Sequence, residues 1–141
     1  MSFMGRVINT ETAGKERSRL TRSVVLALRE LTYQSEPNNQ ACDLIAFITI
    51  VLELIYNTID TTVTAWEKRD YWVKADRFRM EWAWTKKYGE TMRQALQAED
   101  WATIAQTAAQ IALKLNHVVV PLHHRLGTPW VGAWEVFKQQ S

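Results

Sequence analysis

The chain has 141 residues, a size that fits one domain with a sizeable core. Hydrophobic residues make up 47% and charged residues 23%, ordinary globular values that speak against a disordered or fibrous chain. A net charge of +2 is too small to mark a dedicated nucleic-acid domain, and 5 glycines with 3 prolines are too few for a loop-rich β fold. Cys42 is the only cysteine, so no internal disulfide can form, and a cytoplasmic protein is expected.

The first residues, MSFMGRVINTE, lack the apolar core of a secretory signal and are read as an arm over 1–11. Helix 1 is expected to start at Thr10 or Thr12 and to end before Pro37. Leu20, Val24, Ala27, Leu28 and Leu31 give it one apolar stripe. Opposite that stripe lie Lys15, Arg19, Arg22 and Arg29, within about 80° on a helical wheel. The plain reading is a solvated face; the functional one is contact with phosphates or an acidic partner.

From Asn38 to Tyr88 there is neither glycine nor proline. That run is too long for one ordinary helix and is read as two helices folded back on each other. The first, capped near Asn39, carries Leu44, Ile48, Val51, Leu52, Ile55, Ile59 and Val63 on one face. Its end is placed at Trp66–Asp70, with a break at Asp60–Thr62 as the alternative, and Asp70 as the cap of the next helix. Its most apolar run, Leu44 to Tyr56, is shorter than the roughly 20 residues a membrane crossing needs, so no membrane contact is expected. Glu53, Asp60 and Glu67 form an acidic rib that could pair with the basic rib of helix 1 in another copy.

Helix 3 shows a heptad of Tyr71, Ala75, Phe78, Trp82, Thr85, Gly89, Met92 and Leu96. Gly89 on that inner line suggests a close crossing or a kink. Five of the seven tryptophans (Trp66, Trp72, Trp82, Trp84 and Trp101) gather around this helix beside Lys74, Arg77, Arg79, Lys86 and Arg93. Such a mixture fills cores and protein interfaces, and it also suits stacking on single-stranded nucleic acid. Helix 4 is expected to open at Asp100 and to run to Pro121, along Trp101, Ile104, Ala108, Ile111, Leu115 and Val118. Between Asp100 and Lys114 it has no ionisable side chain, only alanines, threonines and Gln106 and Gln110 among the apolar residues. That absence points to a helix covered on two sides and to a homo-oligomer.

The remaining residues, 122–141, read as a tail with Trp130 and Trp134 between glycines, docked on its own bundle or on a neighbour. The expected fold is therefore all-α: a single-domain, antiparallel up-down-up-down four-helix bundle with a Trp/Gly-containing C-terminal tail.

No catalytic, metal or cofactor site is expected. The residues three before His117, His123 and His124 are Lys114, Val120 and Pro121, so the inward Glu-x-x-His pairs of di-iron bundles are missing. Phosphate-binding loops, nucleophile elbows and CxxC pairs do not occur. In size and make-up the chain resembles small bacterial four-helix proteins, among them the RNA-associated accessory bundles of diversity-generating retroelements; the resemblance is architectural and transfers no residue. The expected function is that of a non-enzymatic, self-associating, protein-binding bundle. Trp72, Trp84, Gln106, Gln110, Trp130 and Trp134 are its candidate interface, and nucleic-acid binding through helices 1 and 3 is the alternative.

Overall fold

The computed structural model describes residues 10–140, so 1–9 of the arm expected over 1–11 lie outside the described residues. Among the described residues five helices form: α1 (Thr10–Leu31), α2 (Asn39–Glu67), α3 (Trp72–Gln97), α4 (Trp101–Lys114) and α5 (Ala133–Gln139). No strand occurs among the described residues. The all-α expectation holds, with Thr10 and Glu11 already inside α1 rather than in the arm.

Packing is centred on α2. Its stripe from Leu44 to Val63 is buried, and α1, α3 and α5 all lie against it, while α4 rests on α3 and meets α1 along a short stretch only. Asn38, one residue before the expected cap, accepts the Ala41 N–H at 2.9 Å and satisfies one of the first-turn donors. The helix continues through Asp60–Thr62 without a break. As one helix of 29 residues, α2 is long and apolar enough by composition to cross a membrane, unlike the shorter run singled out in the sequence. Most of its apolar window is covered by the other helices, as in any core helix.

How a segment without glycine turns back on itself is visible at Asp70. Asp70 adopts a left-handed conformation (φ 63°), the Tyr71 N–H donates to the Trp66 carbonyl, and the Asp70 N–H donates to that of Glu67. This is the closure that glycine normally provides after a helix. Asp70 therefore ends α2 and does not cap α3, whose N-cap position is Tyr71 with no side-chain bond. Glu99 repeats the device after α3 with φ 53°, and the Asp100 N–H reaches the Ala95 carbonyl at 2.8 Å. Asp100 then caps α4 as expected. It accepts from the Thr103 N–H and from the Thr103 hydroxyl, and these bonds hold its carboxyl below the usual range.

The α2–α3 contact is tight. A Cβ placed on Gly89 would sit 3.5 Å from the Leu52 Cβ, so the glycine marks close approach and α3 runs on through it. Arg93 pairs with Glu53 at 2.8 Å and Arg79 with Glu67 at 2.9 Å across the same pair of helices.

Helix α4 ends at Lys114, well short of Pro121. Three valines at 118–120 lose side-chain freedom in a helix, and Pro121 steers Val120 away from helical backbone. The expected tail is ordered through Gln140. Gly132 takes φ 86°, α5 begins, and the Trp134 N–H donates to the Asp43 carboxylate of α2 at 2.9 Å. Phe137 and Trp130 are buried beside α2 in the same chain.

Candidate interaction site

The basic rib expected on α1 is largely occupied by its own chain. Lys15 pairs with Glu11 at 3.5 Å and Arg19 with Glu16. Half-buried Arg29 donates to the Val120 carbonyl, and exposed Arg22 extends into solvent. The acidic rib is used inside the molecule too, since Glu53 and Glu67 hold the α3 arginines. Four of the seven charges of the two ribs, Lys15, Arg19, Glu53 and Glu67, are thus paired within one chain.

On α3 the cations other than Arg77 lie on rings or in ion pairs. Lys74 stands 4.4 Å from the Trp66 ring centre and Lys86 5.6 Å from that of Tyr56. Arg79 bridges Asp76 and Glu67, and Arg93 covers Phe137 at 4.7 Å besides its bond to Glu53. Arg77 is exposed. The aromatic side chains face one another. Trp66, Phe78, Trp82, Trp84 and Tyr88 form a half-buried ladder with ring centres 5.1 to 6.3 Å apart. Only Trp82 and Trp84 stack face to face, the other contacts being edge-on or tilted, so these half-buried rings are committed mainly to one another.

One residue of this ladder's setting was missed in the sequence. Arg17 donates to the carbonyl and hydroxyl of Thr58 at 3.4 and 3.3 Å and to the Thr62 hydroxyl at 3.4 Å. It also lies over Phe78 at 4.8 Å and Trp82 at 5.9 Å, so one guanidinium ties α1 to α2 and α3. Burial lowers its pKa, with Glu81 opposing. The signal was present: Ala13, Arg17, Leu20, Val24 and Ala27 follow the buried spacing, and a cation inside such a stripe needs partners there.

The interface candidates divide. Trp130 is 4% exposed in its own chain, so the expectation that it serves as an interface residue is corrected: its indole is spent on the core. Trp134 is half-buried, stacked on Phe137 at 5.6 Å with Lys138 over it at 5.2 Å, and Trp84 is half-buried against Trp82. Trp72 is 55% exposed at the α2–α3 turn. Gln106 and Gln110 are exposed on α4.

The side between α1 and α4 is left open by the rest of the fold. Val25, Leu28 and Leu31 of α1 face Ala105, Ala109 and Ala112 of α4 across a groove of about 550 Å³, with Leu115 and Val118 at its base and Arg29, Thr32 and Asn116 as its polar lining. Beside it, Leu113 is 65% exposed, Val119 79% and Leu122 86%. Three faces of α4 can be told apart by helical angle. Ile104, Thr107 and Ile111 are buried, the alanines line the groove, and Ala102, Gln106, Gln110 and Leu113 point outward, all exposed. The uncharged character of α4 is thus not explained by burial within its own chain.

Chemically, the arrangement offers apolar contact and a few amide and cationic groups. Among the described residues no three of His, Cys, Asp and Glu come together. Cys42 is buried, which pushes its thiol pKa up, with Glu99 and Asp43 adding to the effect. Compared with known proteins, the chain matches no family model, no curated protein and no solved structure at a significant level.

Proposed function

We infer that this chain is a non-enzymatic interaction protein that self-associates and binds a protein partner through its α1/α4 side. The observation that carries the reading is the outer face of α4, Ala102, Gln106, Gln110 and Leu113, which is exposed and uncharged. Solvated helix faces ordinarily carry charge, and interface cores are depleted of it. The architecture assumed is an up-down-up-down arrangement of α1 to α4 whose fourth seam is left for another polypeptide. Two contacts have separate places in this reading. The outer face of α4, with Gln106 and Gln110, meets a second copy, and the groove beside it takes the partner. A cytoplasmic setting fits the single buried thiol of Cys42.

Light scattering on the full chain tests the reading. A defined oligomer that falls to monomer in the Gln106→Glu/Gln110→Glu double variant supports it. A wild-type monomer across the micromolar range removes the self-association half. The nucleic-acid alternative finds less support, since Lys15, Arg19, Arg79 and Arg93 are held in ion pairs and Trp82 and Trp84 stack on each other.

A further inference from the structure

We propose that the turn joining α2 to α3 binds single-stranded nucleic acid. The proposal goes beyond the interaction reading above and does not use the α1/α4 side.

Along most of α3 the rings and cations find partners within the chain, and at the turn they do not. Residues 68–74 are all exposed, Tyr71 by 52%, Trp72 by 55% and Val73 by 67%. Among the described residues no other ring packs on Tyr71 or Trp72, and no cation lies over either. Lys68, Arg69 and Arg77 enter no ion pair among the described residues. A single strand is held by flat aromatic faces for its bases and cations for its phosphates, and both are unspent here.

The surface around the turn has two adjoining hollows. The first, of about 580 Å³, is lined by Asp70, Tyr71, Trp72, Val73 and Lys74. The second, of about 460 Å³, shares Val73 and Lys74 with it and continues along α3 to Trp66, Arg77, Phe78 and Glu81. Tyr71 and Trp72 are the stacking faces. Trp66 is a wall instead, since Lys74 stands 4.4 Å over its ring and Phe78 meets it edge to face. Lys74 and Arg77 line the path for the phosphates, and Lys68 and Arg69 come just before Asp70 on the same turn.

The carboxylates near the turn are mostly spent. Arg79 holds Glu67 and Asp76, and Asp60 stands about two turns back along α2. Arg17 ties the first half of α1 to Thr58 and Thr62, and there Glu11 and Glu16 are paired with Lys15 and Arg19. Asp70 and Glu81 remain, inside the hollows, facing Lys68, Arg69, Lys74 and Arg77. These two acids help to choose the ligand. A base amino group donates readily to a carboxylate. An anionic bilayer would instead bring its headgroups against them. In a duplex the bases are stacked on one another, which closes their faces to Tyr71 and Trp72.

The test titrates the full chain into a fluorescein-labelled strand of mixed sequence, about 12 nucleotides long and made as DNA and as RNA, with the duplex as comparison. Fluorescence anisotropy should show at least one of the two strands binding about tenfold or more tightly than its duplex. Three or four phosphate contacts make that binding about 20- to 50-fold weaker at 200 mM salt than at 50 mM. Trp72→Ala and Lys68→Glu/Arg69→Glu should each weaken it by about tenfold or more. Lys114→Glu/Arg125→Glu, which changes two exposed cations elsewhere, should leave it within about twofold. All of these side chains are exposed, and thermal melts establish that each variant is folded. Binding of neither strand at 50 mM salt, equal affinity for the duplex, or wild-type affinity in Trp72→Ala overturns the proposal. An equal loss in the Lys114/Arg125 variant overturns it as well, since the attraction would then belong to no one site. So does displacement of the strand by phosphatidylserine vesicles that Trp72→Ala no longer binds, which would make the turn a membrane contact.

Discussion

The two long sides of this molecule are built on opposite principles. Between α2 and α3 the helices touch at Gly89, ion pairs join Glu53 to Arg93 and Glu67 to Arg79, α5 covers α2 with Phe137 buried, and Trp130 before it is buried in the same core. Between α1 and α4 there is a channel of about 550 Å³ walled by alanines, with Leu113, Val119 and Leu122 in the open beside it. The same chain therefore spends its charged and aromatic side chains where the fold is already closed and leaves small uncharged ones where it is not. The lesson is that the number of cations or tryptophans on a helix is a poor guide to a binding surface. What matters is whether their partners come from within.

Several substitutions break or sharpen this contrast. The largest effect is expected from Phe137→Ala, which deletes a fully buried ring from the closed side and should cost about 3–5 kcal/mol in denaturant unfolding. A cost under about 1 kcal/mol would mean that α5 is not docked in its own chain. Arg17→Leu removes the tie among α1, α2 and α3 and leaves Thr58 and Thr62 without that donor, so a loss of about 1–3 kcal/mol is expected. A pair of small-to-larger changes compares the two sides directly. Gly89→Leu must push against Leu52 and should cost about 1–3 kcal/mol. Ala112→Leu, projecting into the channel, should stay within about 0.5 kcal/mol of wild type. Similar costs at the two positions would show that the channel is closed in solution. The smallest effect is a gain: Glu99→Gly relieves a left-handed backbone and should add about 0.5–1 kcal/mol, seen as a higher melting temperature.

Much of the architecture was legible because buried stripes have a period. The helix 2 stripe from Leu44 to Val63 is buried as its spacing implies, and Asp100 caps α4. The turn inside the glycine-free run was located by its charges, but its mechanism was not. A left-handed aspartate at Asp70 looks in sequence like any N-cap aspartate, and only backbone geometry distinguishes them. Apolar spacing runs on through Val118 and so extends helix 4 past its end at Lys114, because that spacing does not register three β-branched residues before a proline. The site was harder to read. The stripe of Lys15, Arg19, Arg22 and Arg29 is a real feature of one face, yet Glu11 and Glu16 reach it from neighbouring turns, which position along the wheel alone underrates. The tail around Trp130 reads as docked on its own bundle or on a neighbour, and a linear pattern cannot choose between them; Trp130 is buried in the chain's own core. The charge-poor character of α4 was fully visible; that it faces an open channel was not.

The most direct test of the central claim is the solution mass of the full chain by light scattering, alone and as the Gln106→Glu/Gln110→Glu variant. The account predicts a defined oligomer for the wild type and a folded monomer for the variant. A wild type that stays monomeric, or a variant that keeps the wild-type mass, would contradict the assignment of the uncharged α4 face as the contact between copies.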